Sequence, residues 1–327
     1  MIISRTPLRI SFFGGGTDYP AWFEKNGGAV LATAIDKYIY ITCRYLPPFF
    51  EHKSRIVWSL IELVKDTSKI EHPSVRECLK FMKIEKGIEI HCDADLPSRT
   101  GLGSSSSFTV GLLNSLYALK GTMVSKEQLA KDAIYVEQDL IKENVGSQDQ
   151  ILASFGGFNL IEFKPGSDFR IFPVILDSER LKLFHSYLML VFTGFTRIAS
   201  EVAGELVKKT PEKKVELKTM YAMVYEAIKI LNSNTDLLEF GKLLNENWKL
   251  KRSLSDKITT PVIDEIYSLA QKAGATGGKL LGAGGGGFLL LFAEPEVQPK
   301  IKSELKQFLH VPFQFENLGS QIIFYNP

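Results

Sequence analysis

The spacing of apolar residues in the first half of the chain predicts strands and helices in alternation. Ile2 to Phe13 and Ala34 to Tyr45 are dense in β-branched and aromatic side chains, and Gly14-Gly15-Gly16 interrupts the chain between them. Such runs suit a half-buried pleated surface, so they predict two early strands joined by a glycine turn. From Glu62 to Met82 apolar residues recur at helical spacing, and Ile88 to Cys92 reads as a short strand. Asp93 to Ser107, rich in Pro, Gly and Ser, predicts a loop ahead of a helix over Phe108 to Leu119. Ser125-Lys-Glu-Gln128 has the spacing of a capping box and predicts a helix running to about Asn144, with Gly146 as its stop. Phe155 to Phe163 and Tyr187 to Thr193 read as strands.

The second half is mostly helical in pattern, over Glu216 to Leu231, Leu237 to Leu254 and Pro261 to Ala273, and Gly274-Ala-Thr-Gly-Gly278 ends the last of these. After Gly282 to Gly287 come a strand, a helix from about Glu296 to Leu309 and a closing strand at Gln321 to Tyr325. The charge run from Lys208 to Lys218, with Pro211 inside it, predicts a solvated loop or helix start. A chain of 327 residues, 45% hydrophobic, can bury two ordinary cores. Lys164-Pro165-Gly166 is the expected boundary, dividing the chain into lobes 1–165 and 166–327.

Lys and Arg number 39 against 37 Asp and Glu, a formal charge of +2, so no strong field points to nucleic acid or to an anionic membrane as partner. Any phosphate recognition must be local. No apolar run approaches the roughly 18 to 20 residues of a membrane span, and Met1 to Arg5 lacks the features of a secretion signal, so a cytoplasmic location is expected. Cys43, Cys78 and Cys92 are far apart with no CxxC spacing, which predicts free thiols and neither a zinc site nor a disulfide frame.

Three segments carry candidate chemistry. The first is Asp95-Leu-Pro97-Ser-Arg-Thr-Gly101-Leu102-Gly103-Ser104-Ser105-Ser106-Ser107, between a predicted strand and a predicted helix. Its glycines allow close backbone approach to an oxyanion, and the N–H groups that open the helix have no acceptors within it, so together they form an anion cradle. Its serine hydroxyls suit hydrogen bonds or a hard cation such as Mg2+. The segment is neither a Walker A loop nor a GxGxxG fingerprint. The second runs Thr6-Pro7-Leu8-Arg9 and on through Gly14-Gly15-Gly16-Thr17-Asp18-Tyr19-Pro20: Arg9 lies among apolar neighbours and needs an anionic partner, and Thr17 and Asp18 follow a tight turn where side chains can accept sugar hydroxyls. The third, Lys279-Leu-Leu-Gly282-Ala-Gly284-Gly285-Gly286-Gly287-Phe288, is a glycine run that either brings backbone close to a ligand or serves as a flexible linker.

Together, in order and at these positions, the three segments resemble the motifs of the kinases named for galactose, homoserine, mevalonate and phosphomevalonate, the GHMP kinases. The resemblance spans residues 5 to 288 and implies an α+β, two-lobed GHMP kinase fold: an N-terminal lobe like the second domain of ribosomal protein S5 and a ferredoxin-like C-terminal lobe, with ATP and substrate in the cleft. It implies that ATP is held by Pro97, Gly101, Leu102, Gly103, Ser104, Ser105, Ser106, Ser107, Gly284 and Gly285, and Mg2+ by Ser105 and Glu137. Gly146-Ser-Gln-Asp149-Gln150 resembles the family segment carrying the catalytic aspartate, which makes Asp149 the candidate base and Arg9 its cationic partner. Gly14, Gly15, Gly16, Thr17, Asp18 and Tyr19 would bind substrate. Gly15 stands where galactokinases have an acidic residue, and losing that carboxylate would admit a longer sugar with a distal phosphate. GGGTDYP, with Thr193-Gly194-Phe-Thr-Arg197, resembles the branch acting on heptose phosphates. That implies anomeric phosphorylation of a heptose 7-phosphate to a 1,7-bisphosphate in nucleotide-activated heptose synthesis, with Arg197, Arg99 or Lys37 neutralising the distal phosphate. An anomeric kinase for unphosphorylated fucose or galactose, and a sugar and ATP sensor without turnover, stay open, as does a homodimer.

Overall fold

In the computed structural model, residues 1–166, 168–194, 199–210 and 212–326 are described. The chain begins β1 (Ile2–Phe13), α1 (Pro20–Asn26), β2 (Gly28–Tyr45), β3 (Ser54–Val57), β4 (Ile61–Val64), α2 (Pro73–Phe81), β5 (Ile88–Ala94) and α3 (Ser104–Leu119). It continues α4 (Lys126–Tyr135), a π-helical turn (Val136–Leu140), α5 (Gln148–Phe155), β6 (Phe158–Lys164), β7 (Asp168–Pro173), α6 (Ser178–Ser186) and β8 (Leu188–Phe192). Last come α7 (Ala199–Lys209), α8 (Lys214–Leu231), α9 (Leu238–Arg252), α10 (Pro261–Ala273), β9 (Gly277–Leu280), β10 (Phe288–Phe292), α11 (Gln298–Glu304), β11 (Leu309–His310) and β12 (Gln321–Tyr325).

Among the described residues the strands form two sheets. The first runs β12-β1-β2-β5-β3-β4, with β6 pairing the other half of β2 and β7 pairing β6. β2 is long enough to pair with β5 through Ile39–Tyr45 and with β6 through Gly28–Thr33, so one bent strand serves both wings. The second sheet is antiparallel, in the order β11-β8-β10-β9. Counted along the chain, that is strand-helices-strand-strand-helix-strand in spatial order fourth, first, third, second, the ferredoxin-like arrangement. The turn of the β6–β7 hairpin carries the boundary expected at 165/166, yet both of its strands belong to the first sheet. The closing strand β12 also returns to pair with β1.

Apolar packing locks the two sheets together. Phe184 on α6 is fully buried against Phe240 of α9 with ring centres 4.8 Å apart, and also meets Phe12 at 5.6 Å, Phe158 at 5.8 Å and Phe292 at 5.9 Å. Aromatic residues from both sheets thus share one core, and such clusters are worth more than their area alone.

Several segments depart from the pattern reading. The stretch from Glu62 starts in strand β4, and the helix begins only at Pro73, whose missing N–H suits a first helical position. The Glu62 carboxylate accepts from Trp58 Nε1 at 2.9 Å and from the backbone N–H groups of Glu71 and His72, so it ties the hairpin to the approach of α2. The capping box at Ser125 forms as expected, its hydroxyl accepting from Gln128 N at 3.1 Å, but the α-helix gives way at Val136 to the π turn. Phe155 ends α5; Gly156 and Gly157, both at positive φ, turn the chain into β6. The helix after Gly287 is shorter than expected, Gln298–Glu304, because Leu309–His310 joins the second sheet.

Candidate active site

The serine-rich segment wraps the mouth of a cavity of about 830 Å³ between the sheets. Gly101 (φ +82°) and Gly103 (φ +77°) hold the left-handed turn that ends at α3. Gly103 caps the helix with no side-chain bond, so the N–H groups of the first turn stay available to an anion. Pro97, Gly101, Gly103, Ser104, Ser105 and Ser106 line the cavity. Leu102 and Ser107 do not: Leu102 is fully buried in the core, and the Ser107 hydroxyl donates to Pro7 O at 2.8 Å, tying α3 to β1. Both side chains are taken up by packing within the fold.

Arg9 and Asp149 meet directly beneath this loop. Arg9 Nε donates to Asp149 Oδ1 at 2.6 Å and Nη2 to Oδ2 at 2.7 Å, while Nη1 donates to Gly101 O at 2.5 Å. The Arg9 backbone N–H donates to Leu102 O at 3.0 Å. Arg9 therefore joins strand, loop and carboxylate in one network, and a bidentate guanidinium–carboxylate pair is both strong and directional. Asp149 lies in the first turn of α5, where the helix dipole favours a negative charge. A Cβ at Gly103 would lie 3.1 Å from Arg9 Cγ and 3.2 Å from Asp149 Oδ2, so any side chain there would crowd the pair as well as strain the positive φ.

The turn after β1 is built differently from expectation. Thr17 is fully buried, its hydroxyl hydrogen-bonds Gly14 O and Ala29 O, and it closes the turn without lining the cavity. Gly14 (φ +81°) has the Ala29 carbonyl 1.9 Å from where a Cβ would lie, so the turn leaves no room for a side chain there. The buried Asp18 carboxylate accepts from Gly16 N at 2.9 Å and from Gln148 Nε2 at 2.8 Å, and Asp18 O accepts from Ser147 N. Its main work is to lock this turn to the segment that carries Asp149. Burial, with nearby Asp149, pushes its carboxyl up from the usual range. Gly15, Gly16, Asp18 and Tyr19 line the cavity, and at Gly15 a Cβ would meet nothing nearer than the Ser11 hydroxyl at 4.0 Å.

Glu137 is fully buried on the π turn. Its Oε2 accepts from Ser106 Oγ at 2.8 Å and from Gln150 Nε2, while Oε1 has no partner. Burial raises its carboxyl to about 7 despite those hydrogen bonds. The serine it meets is Ser106; Ser105, the serine expected to share a metal with it, is exposed at the cavity wall. A buried carboxylate with an orphan oxygen beside serine hydroxyls is a donor set of the hard-oxygen kind that Mg2+ takes.

The third segment serves close packing more than ligand contact. A Cβ at Gly282 would lie 2.5 Å from Gly101 Cα, and one at Gly287 2.1 Å from Thr100 O. Phe288 N donates to Thr100 O at 3.0 Å, pinning this loop against the serine loop. Gly282 and Ala283 reach the cavity, whereas Gly284 and Gly285 pack on Ile258 and do not line it. Lys37 pairs with Asp36 away from the cavity, whereas the exposed Arg99 lines it; Arg197 lies outside the described residues.

Two groups of cavity residues escaped the sequence reading. At one end Trp58, His72, Phe108 and Leu96 make an apolar slot, with His72 stacked on Phe108 at 4.6 Å and meeting Trp58 edge-on at 4.9 Å. Two buried lysines, Lys251 and Lys279, also line the cavity. Lys279 opens the third glycine segment and Leu96 lies in the first, though the segment pattern assigns neither a role; Trp58, His72, Phe108 and Lys251 come from distant elements with no motif of their own.

The chain matches the family models described as the GHMP kinases N terminal domain, over residues 60–157, and GHMP kinases C terminal, over 216–311. It is 29% identical over 305 residues to the D-glycero-alpha-D-manno-heptose 7-phosphate kinase of Campylobacter jejuni, covering 90% of each chain. A D-glycero-D-manno-heptose 1-phosphate kinase structure from Bacteroides thetaiotaomicron superposes with a TM-score of 0.78 at 22% identity over 100% of both chains. The galactose complex of Lactococcus lactis galactokinase gives 0.72 at 19% identity over 98% and 94%.

Proposed function

The chain belongs to the GHMP kinases, an ATP-dependent kinase of the sugar-kinase kind, and from that premise we propose that it phosphorylates the anomeric hydroxyl of D-glycero-D-manno-heptose 7-phosphate to give the 1,7-bisphosphate. The observation that carries this choice of sugar is Gly15, which lines the cavity with open space where a Cβ would be. A sugar extended by a phosphate fits there without meeting a carboxylate. The Campylobacter relative, named for the 7-phosphate, supports the same choice.

In this reading the nucleotide phosphates lie against the N–H groups of Ser104 to Ser106, and the base lies in the slot of Trp58, His72 and Phe108. The sugar's anomeric hydroxyl faces Asp149. The hydroxyl proton passes to the Asp149 carboxylate as its oxygen bonds the terminal phosphorus of ATP, and the bond from that phosphorus to the bridging oxygen breaks, releasing ADP. Arg9 holds the carboxylate in place by two bonds and adds positive charge beside the transferring group. Alignment supplies most of the acceleration, since phosphoryl transfer needs little covalent help from the protein. Glu137 with Ser106, and Ser105 at the wall, would hold Mg2+, which neutralises phosphate charge when bound.

The test is ADP release with MgATP against the heptose 7-phosphate, its dephosphorylated form, a heptose 1-phosphate, fucose and galactose. Selective turnover of the 7-phosphate upholds the reading. Selective turnover of a free sugar would discard the distal phosphate and keep the kinase.

A further inference from the structure

We propose that Lys251 and Lys279 form a subsite for a phosphoryl group on the floor of the cavity, at the seam between the glycine turn after β1 and the serine loop. The proposal rests on the sugar-kinase reading of this cleft. Lys251, near the end of α9, and Lys279, on β9, both line the cavity and are 6% and 1% exposed. Lys279 Nζ donates to Phe12 O at 2.9 Å; Lys251 Nζ donates to Leu280 O at 3.2 Å and to Gly282 O. Among the described residues neither is ion-paired with a carboxylate. An ammonium group has three hydrogens to donate, so one on Lys251 and two on Lys279 are left over.

Position decides what those hydrogens are for. Phe12 stands three residues before Gly15, and Gly282 packs on Gly101 of the serine loop. The ammonium groups thus sit where the sugar end and the phosphate end of the cavity meet. Arg9 on β1 and Asp18 behind the turn complete the charged surroundings, and Arg9 is already committed to Asp149 on α5. Two charged ammonium groups against one remaining carboxylate would leave a surplus of positive charge in a buried place, which is unfavourable without an anion. Burial, with Arg9 close by, lowers Lys251 to about 8, and burial with the neighbouring Lys251 and Arg9 lowers Lys279 well below the usual lysine range. A phosphoryl dianion accepts hydrogen bonds from both lysines and favours their charged forms, so binding takes up protons.

A purely structural role, tying β9 and α9 to neighbouring carbonyls, predicts changes in stability only. The experiment is calorimetric titration of wild type, Lys251→Met and Lys279→Met with three ligands: the heptose 7-phosphate, the same heptose without phosphate, and MgATP. Melting curves confirm that the variants fold. Each substitution is expected to weaken the phosphorylated sugar by roughly ten-fold or more, as for a lost bond to a charged group, and to leave the free heptose unchanged. A ten-fold loss confined to MgATP would uphold the subsite and assign it to the terminal phosphate of the nucleotide. Unchanged affinities for both phosphorylated ligands would overturn it. If wild type binds MgATP but no heptose, the sugar assignment fails by itself, and inorganic phosphate titrated in the presence of MgADP decides the subsite: binding lost in the Met variants upholds it, and equal binding overturns it. Should a variant not fold, wild-type titrations at pH 8.5 in buffers of different ionisation enthalpy serve instead, where proton uptake upholds the subsite and its absence overturns it.

Discussion

Arg9 grips both oxygens of Asp149, Nε to Oδ1 at 2.6 Å and Nη2 to Oδ2 at 2.7 Å, across 140 residues of sequence. Arg9 also holds the Gly101 carbonyl, so the aspartate is positioned relative to the phosphate loop by one side chain. Asp149→Asn keeps the shape and removes the negative charge and the proton acceptor. Turnover should fall by roughly 10²- to 10⁴-fold while the affinity for ATP holds within about three-fold. Steady-state kinetics with nucleotide titration checks this, and wild-type turnover would exclude Asp149 from the chemistry.

Glu137 and Ser106 predict where the magnesium dependence resides. Glu137→Gln and Ser106→Ala should each raise the magnesium concentration needed for half-maximal activity, by roughly ten-fold for the loss of one charged ligand. Ser105→Ala, which leaves the Ser106–Glu137 bond intact, should shift it less. A metal titration in which only the Ser105 variant responds would return that role to the exposed serine.

Gly15→Glu reinstates a carboxylate in open space. KM for the phosphorylated heptose should rise by roughly ten-fold or more through like-charge repulsion, with a smaller change for any unphosphorylated sugar that is turned over. Equal effects on both would mean that the distal phosphate lies elsewhere.

Gly287 and Gly121 both have positive φ, but only Gly287 faces backbone, the Thr100 carbonyl, 2.1 Å from its would-be Cβ; around Gly121 nothing lies within 4 Å. Gly121→Ala should cost about 1 kcal/mol of strain alone. Gly287→Ala should cost on the order of 3 kcal/mol or more and loosen the serine loop, raising KM for ATP. Denaturant unfolding compares the pair.

Burial lowers His72 to about 4 from an ordinary value of 6.5. The unfolded chain then binds more protons than the folded one between those values. His72 therefore contributes stability above about pH 6.5 that is lost as pH falls toward 4, on the order of 2 kcal/mol. His72→Phe, which keeps an aromatic ring against Phe108, should flatten that part of the stability profile. Urea midpoints at pH 7 and pH 4.5 for the two proteins measure the difference.

Local chemistry made the strands β1 and β5, the serine loop, the capping box at Ser125 and the long helices legible, because glycine turns, β-branched runs and 3.6-residue periodicity act over a few neighbours. The three ordered segments carried the family, and with it Arg9 and Asp149. What stayed hidden depends on distant contacts. Glu62 looked helical until Trp58, Glu71 and His72 claimed its carboxylate. That the Thr17 and Ser107 hydroxyls bond the carbonyls of Ala29 and Pro7 was invisible in sequence. Lys251 carries no motif, and only the packing of α9 on β9 brings it to Lys279. The sequence alone determined which backbone segments can bend closely around an anion, since that depends on glycine and on the residues next to it. Only the tertiary structure decided which polar side chains face the cavity and which satisfy buried carbonyls, because every buried donor must find an acceptor and the nearest one is set by the whole fold.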